Sequence, residues 1–469
     1  MTTIDPFPTA LDLARLVRTK QVSPVELLDD CLARVDRLNP ALNAVIWRDD
    51  DDARAQARRL ADVVATTPAD ELPPFAGVPV PIKDLTAAAA QPLTFGSDGG
   101  PAGRQTEDEL VVAALRDAGF VLAGRTNTPE LGPITAAENV RYGITRNPWD
   151  VDRTPGGSSG GAAASVAAGM FAVAHGNDGG GSIRIPASCC GLVGLKVSRG
   201  RVPALVESWE GASVEGVVTH TVADTAAILD LISRPDPLSW YQAPAPRGPF
   251  AGEVGADPGR LRIGLVDAAP LGMPVDDAVR AAVVDAGALL EGLGHTIVPA
   301  SVDFGFEVIE PFIAMIDGSY TQAIADWSRV EPHNRIGRDR GLARNSLDYV
   351  QAIGDLQRWT RRFVARWSRD FDVLVSPTMT IEPPPAGQVL REVQADPVNT
   401  SPTVLAMAAF TAPFNICGLP AISLPLSTAP SGLPVGVQFV GGPFGESVLL
   451  RLAAQVEAAA PWRSRHPDV

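Results

Sequence analysis

Two glycine-rich turns, each carrying serine, constrain this chain more than any other feature. The first is Thr154-Pro155-Gly156-Gly157-Ser158-Ser159-Gly160-Gly161. The second is Gly176-Asn177-Asp178-Gly179-Gly180-Gly181-Ser182-Ile183-Arg184-Ile185-Pro186-Ala187. An Ala-rich helical segment and a short strand separate them. Glycine allows backbone geometry closed to other residues and lets successive N–H groups converge on a ligand. Three such groups ahead of a serine, from Gly179, Gly180 and Gly181, are what an oxyanion hole requires. A flexible linker does not explain the cluster. Pro155, Arg184 and Pro186 flank it, and the apolar Gly191-Leu192-Val193-Gly194-Leu195 follows.

Neither turn is a phosphate loop, because neither reads G-x-x-x-x-G-K-[ST] or G-x-G-x-x-G between a strand and a helix. Gly156-Gly157-Ser158-Ser159-Gly160 does match G-x-S-x-G, the nucleophile elbow. An elbow needs a strand directly before it, whereas residues 147–155 are turn-like and broken by proline. It also needs a downstream histidine, and His175, His220, His295, His333 and His466 all lack a distinctive context. A serine nucleophile without a dedicated histidine needs another base, and a lysine held neutral can serve. Lys83 ends the apolar run Gly77-Val78-Pro79-Val80-Pro81-Ile82-Lys83-Asp84, which makes it the leading candidate. Lys196, in Gly194-Leu195-Lys196-Val197, competes with it. Taken alone, either could be an ordinary structural lysine.

Composition narrows the function further. The 469 residues are 45% hydrophobic and 20% charged, which supports a packed core and excludes disorder as the dominant state. A net charge of −15 repels phosphate backbones and anionic lipid, so neither nucleic acid nor membrane is an expected partner. Cys31, Cys189, Cys190 and Cys417 form no C-x-x-C pair and no disulfide framework, and the histidines are scattered singly. No metal site is therefore expected. Residues 1–10 have neither the basic start nor the apolar stretch of a secretory leader. The longest weakly polar run, 162–174, is too short to span a bilayer. A soluble, cytoplasmic protein is the expectation.

The local patterns predict an α/β fold. Two helices occupy the first forty residues, the second opened by the capping box Ser23-Pro24-Val25-Glu26, and a third covers 51–64. A strand ends on Lys83. Thr106-Glu107-Asp108-Glu109 reads as a second capping box, with a helix through Ala118 and a strand at 120–124 after it. Strands at 373–375, 421–424 and 435–440, then a helix over 447–458, repeat the alternation near the C-terminus. The expected architecture is one domain over 1–469. Its central mixed sheet is flanked by helices, and 236–370 forms a helical excursion, or cap, that shapes the substrate pocket.

Taken together, these residues resemble the amidase signature family of serine hydrolases. Residues 156–196 are similar to its defining segment almost throughout. Gly77-Val78-Pro79 with Ile82-Lys83-Asp84 is similar to its lysine motif. Gly124-Arg125-Thr126-Asn127-Thr128-Pro129-Glu130-Leu131-Gly132 and Tyr142-Gly143-Ile144-Thr145-Arg146-Asn147-Pro148-Trp149-Asp150 also fit. So do Pro413-Phe414-Asn415, Gly418-Leu419-Pro420-Ala421-Ile422-Ser423-Leu424-Pro425 and Gly432-Leu433-Pro434-Val435-Gly436-Val437-Gln438. The likeness runs from about Leu11 to Trp462, with a gap over the middle excursion.

The resemblance implies the amidase signature fold and a Ser–cis-Ser–Lys triad. By position, Ser182 matches the nucleophile, Ser158 the bridging serine preceded by a cis peptide, and Lys83 the base. Ser159 would support them, and Asp178 and Arg184 would hold the glycines in shape. It implies hydrolysis of a small-molecule amide or carbamate through an acyl-enzyme, with esters within reach of the same chemistry. No cofactor is needed, and a homodimer fits the family. A glutamine-dependent amidotransferase A-type subunit is the alternative, although Thr128-Pro129-Glu130-Leu131-Gly132 is similar to the stand-alone hydrolases. Gly179 replaces the family's usual threonine, which is expected to loosen the loop or open room beside the oxyanion hole. The form His175-Gly176-Asn177-Asp178 is similar to the branch containing 6-aminohexanoate cyclic dimer hydrolase. Candidate pocket walls are Trp209, in a loop at 204–210, and Phe312 and Ile316 on an apolar helix.

Overall fold

The computed structural model describes residues 4–302 and 304–468. The first three residues of the stretch read for a leader lie outside these. An eight-stranded mixed sheet forms the centre. Its order is Thr296–Pro299, Arg262–Leu265, Val373–Pro377, Pro434–Gly441, Ala421–Thr428, Val193–Lys196, Val214–Thr219, Val173–Asp178. The first three strands run parallel, and every later pairing is antiparallel. The inner strands Val373–Pro377, Pro434–Gly441 and Val193–Lys196 are buried along their whole lengths, which matches their near-continuous apolar sequence. The helices Asp277–Gly292, Glu446–Ala459 and Arg184–Cys190 pack against these strands.

A second, three-stranded sheet has the order Val45–Trp47, Val121–Thr126, Pro79–Lys83, the last two strands parallel. Pro79–Lys83 also packs on Val173–Asp178, the edge strand of the large sheet. That contact carries Lys83 to the second glycine turn. The Ala-rich helix Gly160–Ala167 is buried on every side, as a helix apolar all round must be. It runs between the two serine turns and holds them together.

Two expectations need correction. The box at Ser23 forms in full, with Ser23 and Glu26 each capping the other's backbone N–H. The one expected at Thr106 does not. The helix there begins at Leu110, and Glu109 caps it by accepting from the Leu110 N–H. Asp108 is drawn off by the Ala89 N–H at 2.6 Å and the Arg116 guanidinium at 2.8 Å, so tertiary partners displace the local cap. The segment 236–370 is also only partly an excursion. Arg262–Leu265 and Thr296–Pro299 extend the main sheet, because these two short strands flank the helix Asp277–Gly292 and make a parallel βαβ unit with it. The helices Phe306–Asp317, Pro332–Ala343 and Ser346–Val364 make up much of the remainder. Among the described residues, no helix is long and apolar enough to cross a membrane.

Candidate active site

Lys83 is the last residue of its strand and is fully buried. Its Nζ lies 2.7 Å from Ser158 Oγ, 2.9 Å from Ser159 Oγ and 2.6 Å from Asn177 Oδ1. Burial lowers its pKa to about 7, against the opposing pull of the Glu215 and Asp178 carboxylates. A neutral amine has two hydrogens and one lone pair. Asn177 Oδ1 can only accept, so it takes one hydrogen. The Ser159 hydroxyl donates to the Asn177 carbonyl at 3.1 Å, which leaves its oxygen to accept the other. The lone pair is then left for the hydroxyl hydrogen of Ser158. This is the arrangement of a base ready to take a proton from Ser158.

Ser159 is the N-cap of Gly160–Ala167, yet its side chain makes no capping bond. Serine there would ordinarily accept from the helix's first turn. Its hydroxyl serves Lys83 and Asn177 instead. The Gly157–Ser158 peptide is cis. The Ser159 N–H donates to the Ser182 carbonyl at 3.1 Å, which ties the second turn to the first. Ser158 is buried and Ser182 half-buried, so Ser182 is the serine with solvent access.

The turn before Ser182 is held from below. Asp178 accepts from the Gly181 N–H at 2.7 Å and the Ile183 N–H at 3.2 Å, and takes the Arg184 guanidinium fork at 2.9 and 3.0 Å. Burial pushes the Asp178 carboxyl up, but the charge and hydrogen bonds of Arg184, with the Lys196 charge and the Asn415 amide, together hold the group well below the usual carboxylate range. Asn415 Nδ2 donates to the Asp178 carbonyl and carboxylate, and Arg184 reaches on to Thr411 O and Gln438 Oε1. Breaking one side of a buried pair leaves an uncompensated charge, at about 3–5 kcal/mol. Arg184→Met is therefore expected to lower unfolding free energy by about that much in a urea titration. A loss below about 1 kcal/mol would contradict this role.

Of the N–H groups expected to face an oxyanion, those of Gly179, Gly180, Gly181 and Ser182, one points elsewhere. The Gly181 N–H is turned inward to Asp178, because an aspartate three residues upstream folds back onto the turn. Among the described residues, the N–H groups of Gly179, Gly180 and Ser182 have no protein acceptor. The Thr411 hydroxyl donates to the Gly180 carbonyl at 2.6 Å and fixes the crest of the loop. A Cβ on Gly181 would lie 2.3 Å from Thr411 Oγ1, and its φ of +130° also demands glycine.

The room expected at Gly179 is occupied. A Cβ there would lie 2.6 Å from Cζ3 of Trp209, whose indole rests on the glycine. Trp209 meets Phe312 edge to face, with ring centroids 6.3 Å apart. Trp209 and Glu210 are both left-handed, with φ of 54° and 51°, and Tyr349 Oη pins Glu210 at 2.7 Å. Ile316, a turn beyond Phe312, is half-buried. Gly179→Ala is expected to lower kcat/KM on acetamide by at least about tenfold by displacing the ring or the loop, and the double variant with Trp209→Ala should recover most of it on that substrate. Equal losses in both variants would show that the ring is not the reason for glycine.

Several contacts had no local signal in the sequence. The Lys83 N–H donates to His175 Nδ1 at 3.4 Å, and His175 Nε2 meets Glu215 at 2.7 Å, so the network assigns the proton to Nε2. Asn177, Thr411, Asn415 and Gln438 were likewise not singled out as site residues. Lys196 is buried too, and burial followed by the Arg184 charge lowers its pKa to about 7. Its Nζ donates to the Val197 carbonyl at 2.8 Å, and no serine hydroxyl contacts it. Cys31, Cys189, Cys190 and Cys417 are free and buried. Among the described residues, no group of three or more His, Cys, Asp or Glu could hold a metal ion.

The chain matches the amidase family over residues 26–450. It is 36% identical to the 6-aminohexanoate-cyclic-dimer hydrolase of Paenarthrobacter ureafaciens, over 100% of this chain and 98% of that protein. A solved 6-aminohexanoate cyclic dimer hydrolase superposes with a TM-score of 0.92 at 34% identity, covering 99% of both chains. A bacterial aryl acylamidase of the amidase signature family superposes at 0.86, with 25% identity and 97% of both chains covered. With the sequence signature, the fold and these likenesses in agreement, the chain belongs to the amidase signature family of amide hydrolases.

Proposed function

We propose that this chain hydrolyses the C–N bond of small uncharged or aromatic amides, among them anilides and cyclic or linear amides, through an acyl-Ser182 intermediate. Aryl carbamates fall within the same chemistry. The observation that carries the reading is the buried Lys83 amine, its pKa near 7, with its lone pair on Ser158. Lys83 takes a proton from Ser158 as Ser158 takes one from Ser182, and Ser182 Oγ attacks the carbonyl carbon. The N–H groups of Gly179, Gly180 and Ser182 receive the negative oxygen. The relay then reverses, protonating the leaving nitrogen as the C–N bond breaks. Water, activated by the same relay, releases the acid and restores the serine. No cofactor enters.

Trp209 and Phe312 favour apolar or aromatic acyl groups, because their rings wall the space beside the Gly179 turn. The hydrolases of cyclic dimers and aryl acylamides among the similar proteins support an amide substrate without a charged side chain. A panel of anilides, cyclic amides and aryl carbamates, assayed for acid and amine release, tests the proposal. Trp209→Ala is expected to cost at least about tenfold in kcat/KM on anilides and little on acetamide. Uniform loss on all substrates would remove Trp209 as the selector. Turnover of esters with no amide cleaved would remove the proposed reaction.

A further inference from the structure

A cavity of about 530 Å³ opens where the C-terminal turn of Ser346–Val364 meets the chain after Ala412–Ile416. Its volume lies in the range of small-molecule sites. It shares no lining residue with the cluster around Lys83, Ser158, Ser182 and Trp209. Two cations face it, Arg199 and Arg361, and no carboxylate lines it. The rest of the wall is mainly apolar, with Val364, Leu419 and the rings of Tyr241 and Phe444.

Arg199 is prepared for a ligand rather than paired. Its Nη2 donates to the carbonyls of Ile416 at 2.9 Å and Asn415 at 3.4 Å, which fixes the guanidinium. The Tyr241 ring lies 5.7 Å from its Cζ. Nη1 lies against Gly418 on the cavity wall, and the buried Nε has no acceptor among the described residues. Arg361 is exposed and has no ion-pair partner among the described residues. The carboxylates nearest Arg199 are Glu207 and Glu210, and Glu210 already accepts from Tyr349. An immobilised guanidinium without an ion-pair partner, in a cavity that a second arginine also lines, matches the two oxygens of a carboxylate. The apolar wall matches a hydrocarbon or aryl body.

We propose that this cavity binds a small monocarboxylate with an apolar body, between Arg199 and Arg361, at a site separate from the catalytic one. Calorimetric titration of the full chain with 4-phenylbutyrate tests it, with 4-phenylbutanol and inorganic phosphate as comparison probes. The carboxylate is expected to bind, and Arg361→Ala to weaken it at least about tenfold while amidase activity and Tm stay unchanged. Arg361→Lys should recover part of the loss. Equal binding of the neutral alcohol, or binding untouched by Arg361→Ala, would overturn the proposal. Absence of carboxylate binding would do the same, and tighter binding of phosphate would reassign the site to a simple anion.

Discussion

Replacing Ser182 with alanine is expected to lower kcat/KM on any amide substrate by at least about 10⁴-fold, with the fold intact. The loss would fall on kcat, because the hydroxyl forms the covalent bond and contributes little to ground-state binding. The turn would survive the change. Its shape depends on Asp178, Arg184, Asn415 and Thr411, none of which touches Ser182 Oγ. The Ser159 N–H bond goes to the Ser182 carbonyl, which alanine keeps. Steady-state kinetics beside a thermal melt separates the two contributions. An active Ser182→Ala protein would require another nucleophile.

Lys83→Met is expected to cost about 10²- to 10⁴-fold, the range of a lost general base. Its pH signature is more specific. The base form of Lys83 is populated above a pKa of about 7, so kcat/KM should rise with pH to a plateau above it. Below that pH it should fall about tenfold per unit, and the variant should lose this limb. Stability follows the same proton. Lys83 holds its proton to about pH 7 when folded and to ~10.4 when unfolded. Between those values the unfolded chain binds more protons, so stability rises with pH across that window. Lys196 contributes with the same sign, since its pKa is also lowered to about 7. Lys196→Met should therefore flatten the stability slope yet leave the activity limb in place. A reversal of the two variants would exchange the roles of the two lysines.

Much of the architecture was legible in local pattern. The strand ending on Lys83, the buried Ala-rich helix and the C-terminal strands all follow from period, length and flanking glycine or proline. What pattern cannot supply is which distant segments meet. Lys83 and Ser158 are 75 residues apart in sequence and 2.7 Å apart in space, and only family likeness placed them together beforehand. His175 and Glu215 pair across neighbouring strands, so neither carries a mark that its own segment could show. At Gly179 the sequence predicts a looser loop or extra room, because a missing side chain leaves space in one dimension. Trp209 closes that room from thirty residues on, through a left-handed turn that no local propensity favours. Arg262–Leu265 and Thr296–Pro299 were hidden for a related reason. Each has only four residues; they pair with each other across a sixteen-residue helix, and Arg262–Leu265 pairs also with Val373–Pro377 more than a hundred residues on.

The most direct measurement is peptide mass spectrometry after reaction with a fluorophosphonate probe, on the wild type and on Lys83→Met in parallel. A single adduct on Ser182 is expected, forming far more slowly, or not at all, in the variant. An adduct on Ser158, or equal labelling of Ser182 without Lys83, would contradict it.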